Sequence, residues 1–207
     1  MTSIRHRKMT AIAVTLGIAV SACGGSQSGD SPPGGAANGT DRAFAEEMIP
    51  HHRSAVDMAR IAADQAEHPE IKALAGDIAA MQTAEVAELE NAVDRFRSDG
   101  VEKVALGVPD HATGMDADSS TLADAKPFDR RFIDTMITHH QGAIRMAQLE
   151  LKQGGDAEMK RMARTIVDNQ TREIDQLNMW RVDWYGRASP SGGVPAANDT
   201  GMHHDMG

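Results

Sequence analysis

Residues 48–59 read MIPHHRSAVDMA, and residues 136–147 read MITHHQGAIRMA. The step from His51 to His139 is 88 positions, and the same step lays Asp41, Arg42, Phe44 and Met48 on Asp129, Arg130, Phe132 and Met136 without a gap. Downstream it carries Lys72, Ala75, Ile78, Gln82, Thr83, Glu85 and Leu89 onto Lys160, Ala163, Ile166, Gln170, Thr171, Glu173 and Leu177. One fixed offset over so long a stretch means that a whole supersecondary unit occurs twice. Whatever fold one unit takes must therefore pack against a copy of itself.

Within each unit the apolar positions recur at three- and four-residue steps, as in Phe44, Met48, His51, Ala55, Met58 and Ala62, the spacing of one helical face. A second stripe follows: Ile71, Leu74, Ile78, Leu89 and Phe96 in the first copy, Met159, Met162, Ile166, Leu177 and Trp180 in the second. Pro69 and Gly154 mark the turns inside the units, since proline suits a helix start and glycine a helix end. The pattern predicts helices over 41–66, 69–98, 128–152 and 156–186, with no strand signal. Two such hairpins, repeats 41–98 and 128–186, carry stripes too narrow to be stable alone. They imply an all-α four-helix bundle over 41–186, crossed by a connector of little period at 99–127. Pro50 stands where the second copy has Thr138, and a proline within a helix predicts unequal geometry at the two histidine pairs.

The ends read differently. Residues 1–22 combine Arg5, Arg7 and Lys8 with a short apolar run, the form of an export signal. The run closes on VSAC, which resembles a lipobox, so Cys23 is the expected lipidated first residue of a mature protein anchored on the outer face of a membrane or in the periplasm. Cys23 is the only cysteine, which removes thiolate from the remaining chemistry. Residues 23–40 read as a flexible tether and 187–207 as a disordered Met/His tail. Removing residues 1–22 takes three basic and no acidic residues, moving the formal charge from −9 to −12. Such a surface disfavours nucleic acid and anionic lipid, leaving the lipid anchor as the only membrane contact, and favours cations.

Met48, His51, Ala55 and Met58 lie in one stripe with His52 at its edge, and Met136, His139, His140 and Met146 repeat the set. Gln82 and Glu85, with Gln170 and Glu173, fall on the apolar face of the second helix of each unit. Two readings stand side by side. In one, each His and Glu is a core hydrogen bond that fixes register, and methionine is adaptable filler. In the other, imidazole nitrogen and thioether sulfur hold a metal while Gln82, Glu85, Gln170 and Glu173 orient the rings. The C-terminal GMHHDMG adds Met202, His203, His204, Asp205 and Met206, a tract of a kind that binds metal, and His111 with Met115 in the connector is a weaker echo. Thioether with imidazole and no thiolate suits Cu(I), with Ag(I) by analogy, and imidazole also suits Cu(II). Neither repeat has the Glu-x-x-His step of di-iron bundles. No nucleophile with its base, phosphate loop or organic cofactor motif is evident, so no catalytic residue is expected.

The repeated M-x-x-H-H-x-x-A-x-x-M-A phrase, each time followed by a helix with QTAE or QTRE, resembles the bacterial family called domain of unknown function 305, over about Thr40 to Tyr185. The resemblance implies a ferritin-like four-helix bundle, exported, with some members binding copper and contributing to copper tolerance. By motif it carries over to Met48, His51, His52 and Met58 and to Met136, His139, His140 and Met146. The expected function is copper binding in the cell envelope, for sequestration or hand-over to a protein partner. A metal-free interaction bundle is the alternative and a metal-dependent oxidase a third reading; homo-oligomerisation is left open.

Overall fold

The computed structural model describes residues 35–115, 119–197, 199 and 201. The export signal, Cys23, most of the tether, and Met202, His203, His204 and Met206 lie outside the described residues. Four long helices, α1 (Gly39–Gln65), α2 (Pro69–Ser98), α4 (Phe128–Gln153) and α5 (Ala157–Tyr185), form the expected all-α bundle of two duplicated hairpins, with a short α3 (Ser119–Ala123) in the connector. Among the described residues there is no strand, and no helix is long and apolar enough to cross a membrane.

Local chemistry sets the helix ends. α1 starts two residues before the periodic pattern because Asn38 and Asp41 cap each other: the Asn38 side chain accepts from Thr40 N at 2.8 Å, and Asp41 accepts from Asn38 N at 2.6 Å. α2 opens with Pro69, whose missing N–H would have been unpaired anyway. α5 opens under the Asp156 side chain and closes at Gly186, whose φ of 78° is a left-handed cap that glycine takes without a Cβ clash. Helix α1 runs on through Pro50, which is exposed, so its missing donor leaves no buried carbonyl facing apolar surroundings.

The hairpins are locked by a crossed pair of carboxylates. Asp41, at the start of α1, accepts from Gly155 N at 3.0 Å and Asp156 N at 2.8 Å, where α5 begins. Asp129, at the start of α4, accepts from Glu67 N at 3.0 Å and His68 N at 2.8 Å, where α2 begins. Both aspartates are buried. An ionised acceptor at a helix N-terminus draws on hydrogen bonding and on the helix dipole together. Each repeat thus caps the second helix of the other.

The core falls into two apolar clusters. One gathers Phe44, Met48, Leu89, Phe96, Met146 and Ile166; the other gathers Met58, Ile71, Ile78, Phe132, Met136 and Leu177. Along α1 the change from one cluster to the other comes between Met48 and Ala55, and along α4 between Ile137 and Met146, with Ala143 and Ile144 facing different clusters. The histidine pairs occupy both junctions. Each fully buried Phe, Ile or Leu contributes about 1.5–3 kcal/mol to holding these halves closed.

The connector, of little period, contains a 3-10 turn at Asp110–Ala112 and α3, and buries Leu106, Ala112 and Leu122. One expectation is corrected. Residues 187–207, read as disordered, include a segment that packs on α4 and α5. Gln141 Nε2 donates to the carbonyls of Ser191 at 2.8 Å and Gly193 at 2.7 Å, Ser189 N donates to Asn178 Oδ1 at 2.9 Å, and Arg145 pairs with Asp199 at 3.0 Å. Irregular backbone is held here by helix side chains that satisfy its polar groups.

Candidate metal centre

His51, His52, His139 and His140 are all buried, at 0–1% exposure. The His51 and His139 rings meet across the α1–α4 interface with centroids 3.8 Å apart and planes tilted by 39°. His52 and His140 stand outside this central pair, their ring centres 6.3 and 6.4 Å from those of His51 and His139. His52 Nε2 lies 2.8 Å from Glu85 Oε2, and His140 Nε2 lies 2.7 Å from Glu173 Oε2. The ring spacings and the His–Glu contacts of the two halves therefore agree to about a tenth of an ångström, and the inequality between them lies instead at the central rings, where, among the described residues, only His51 bonds the connector. Pro50 itself is exposed.

The ring nitrogens decide what the layer can do. His51 Nε2–H donates to the Thr113 carbonyl at 2.9 Å, which leaves Nδ1 as the lone-pair nitrogen, and Nδ1 has no hydrogen-bond partner. A carboxylate facing Nε2 of His52 and of His140 favours the proton there too, although both contacts are too bent to count as aligned hydrogen bonds. Their Nδ1 atoms are likewise unpartnered, as are both nitrogens of His139 and both amide atoms of Gln82. A buried polar atom without a partner costs about 1–3 kcal/mol, so a cluster of them in a core is the arrangement expected of ligands. Burial first, then the neighbouring His52, pushes His51 down to about 3; burial, then His51, holds His139 well below the usual imidazole range. Both rings are neutral at ordinary pH, the form that coordinates metal.

Soft donors flank the layer. Met48 and Met146 share one core cluster and Met58 and Met136 the other, so each side receives one methionine from each copy of the phrase. Among the described residues no three His, Cys, Asp or Glu side chains converge at metal-ligand spacing. The donor types gathered around the layer are imidazole and thioether. Glu85 and Glu173 reach toward solvent, with side chains 11% and 12% exposed, so the carboxylates link the histidines to water. Gln82 and Gln170 are buried, but Gln82 makes no hydrogen bond to a histidine.

Several residues around the layer escaped the sequence reading. Thr113 supplies a backbone carbonyl, which no side-chain pattern reveals. Gly142 lets the connector lie on α4: a Cβ there would sit 1.7 Å from the Thr113 carbonyl oxygen. Its counterpart in the first copy is Ser54; toward the end of α4, beside Asp41 and not at the layer, Glu150 likewise stands opposite Ala62. Those departures from the repeat were the available signal.

The family model described as domain of unknown function (DUF305) matches residues 41–181. Among solved structures, the chain is similar to CopM in its Cu(I)-bound form, at 37% identity and a TM-score of 0.61, covering 70% of this chain and 98% of that one. CopM in its Cu(II)-bound form gives 36% identity, a TM-score of 0.60 and the same coverage. A DUF305 protein of Streptomyces coelicolor, described as secreted, gives 27% identity and a TM-score of 0.62, covering 72% of this chain and 96% of that one. Comparison with curated proteins returns no match.

Proposed function

This chain belongs to the DUF305 family, and from that premise and its buried histidine layer we propose that it binds copper, chiefly as Cu(I), and sequesters it or hands it on without catalytic turnover. The observation that carries the reading is the set of unpartnered imidazole nitrogens at the meeting of α1 and α4, with Met48, Met58, Met136 and Met146 on either side. CopM, with a similar fold, has been solved with Cu(I), with Cu(II) and with silver, which supports the choice of metal. In this reading His51, His52, His139 and His140 supply nitrogen, the four methionines supply sulfur, and Glu85 and Glu173 orient the outer rings. Met202, His203, His204 and Met206 form a weaker outer group, and Cys23 carries the lipid that keeps an exported protein at the membrane.

The test is an anaerobic Cu(I) titration of the full-length chain against a chromogenic competing chelator, with Zn(II) alongside. Deleting residues 202–207 lowers the number of ions bound and leaves the tightest class in place. Replacing His51, His52, His139 and His140 with Ala removes the tight class while helical content persists. A quadruple variant that melts early yet binds Cu(I) as tightly as the parent returns the layer to a purely architectural role.

A further inference from the structure

Resting on the copper-binding reading, we propose that the cleft between the connector and α1 is the metal-loading entrance to the buried layer, with Met115 as its added donor. In it the thioethers of Met115 and Met146 and the imidazole of His51 take Cu(I) from solvent ahead of the buried layer. These three residues line one cleft, together with Thr113 and the carboxylates of Glu47 and Asp110. Met115 is 40% exposed at the surface, whereas Met146 and His51 are buried behind it, at 2% and 1%. Soft donors therefore run from the surface to the layer with no gap in kind. The cleft encloses about 450 Å³, room for a hydrated ion given that a water takes about 30 Å³. Acidic groups at its mouth favour a cation, although Lys103 occupies part of that rim, 3.3 Å from Glu47.

Among the described residues the arrangement exists on one side only, and the repeat explains why. The connector can settle on α4 because residue 142 is Gly, and because Gly114, at φ 72°, passes where a Cβ would sit 2.4 Å from the Thr138 carbonyl oxygen. At the matching place on α1 stands Ser54. Arg145 reinforces the docking by donating to the Ala112 carbonyl at 3.3 Å. An exposed thioether is thus fixed at the approach to His51. On the far side Leu122, Phe128 and Phe132 close the second cluster. Copper loads from one side and reaches the second set of ligands through the first.

The experiment uses full-length protein with 13C-methyl methionine, titrated anaerobically with Cu(I), and with Ag(I) as a redox-inert probe. The Met115 and Met146 methyl signals should move together within the first equivalent. Met115→Leu, at a surface position where folding is not at issue, should slow uptake from a chromogenic Cu(I) chelate by about tenfold or more while leaving final affinity of the tight class unchanged. Shifts at Met48, Met58 and Met136 with none at Met115, and wild-type loading of the Leu variant, overturn the loading site and leave the buried centre standing. No shift at any methionine overturns both.

Discussion

Glu150 is a fully buried carboxyl whose two oxygens have no hydrogen-bond partner, and a Cβ on Gly154 would meet its Oε1 at 2.0 Å. Burial first, and the neighbouring Asp41 carboxylate second, push it up from 4.5 to about 9. The folded protein therefore keeps a proton on Glu150 through neutrality while the unfolded chain has lost it. Stability from this group is full below pH 4.5 and drains away as pH rises toward 9, at about 1.4 kcal/mol per pH unit. Glu150→Gln keeps the volume and a donor facing Asp41 but cannot ionise. Relative to the parent it should hold a constant difference below pH 4.5 and gain about 3 kcal/mol between pH 5.5 and 7.5, read by urea unfolding followed by circular dichroism. Glu150→Ala, which copies Ala62 of the first repeat, should show the same flat profile offset by a cavity cost of about 2 kcal/mol at every pH. Parent and Gln variant curves that run parallel across this window would refute the argument, because the carboxyl would then ionise alike in both states.

Three further outcomes follow from the same geometry. Asp129→Ala removes two charge-assisted caps from α2 and should cost about 3 kcal/mol, measured by thermal or urea unfolding; Asp41→Ala should cost a similar amount and in addition flatten the pH profile of Glu150. Cys23→Ala should yield protein without lipid that is not retained in the membrane fraction, and wild-type protein unmodified at Cys23 by mass spectrometry would end the anchor proposal. A chain ending at Lys126 should self-associate or lose cooperative melting, since neither hairpin covers both of its own faces; a monomeric half with a sharp transition contradicts that.

Much of the site could be read before the fold because helical periodicity and a repeat are both one-dimensional signals. Met48, His51 and Met58 fall on one stripe by arithmetic, and burial of all three bears it out. His52 shows the limit: placed at the stripe's edge, it is fully buried because α2 brings Glu85 over it. Contacts made by backbone stay hidden for a different reason. The Thr113 carbonyl on His51, the carbonyls of Ser191 and Gly193 on Gln141, and the amides of Gly155 and Asp156 on Asp41 carry no residue-specific mark. They join positions between 50 and 115 residues apart. What the sequence offers at such places is a mismatch between copies, as at Gly142 against Ser54, and the mismatch shows where symmetry fails without saying what fills the space.

The crossed aspartate caps carry a historical implication. A single hairpin has the carboxylate at the start of its first helix and the bare amides at the start of its second. In the structure the amides at the start of each second helix reach the carboxylate of the opposite hairpin. A lone ancestral hairpin would have found its acceptor only on a second molecule, with the central histidines meeting across the dimer axis. The present chain is that pair made covalent. Fusion removed the concentration dependence of assembly and released the two copies to diverge, so that Ser54 and Gly142 could part company and one face alone could receive the connector.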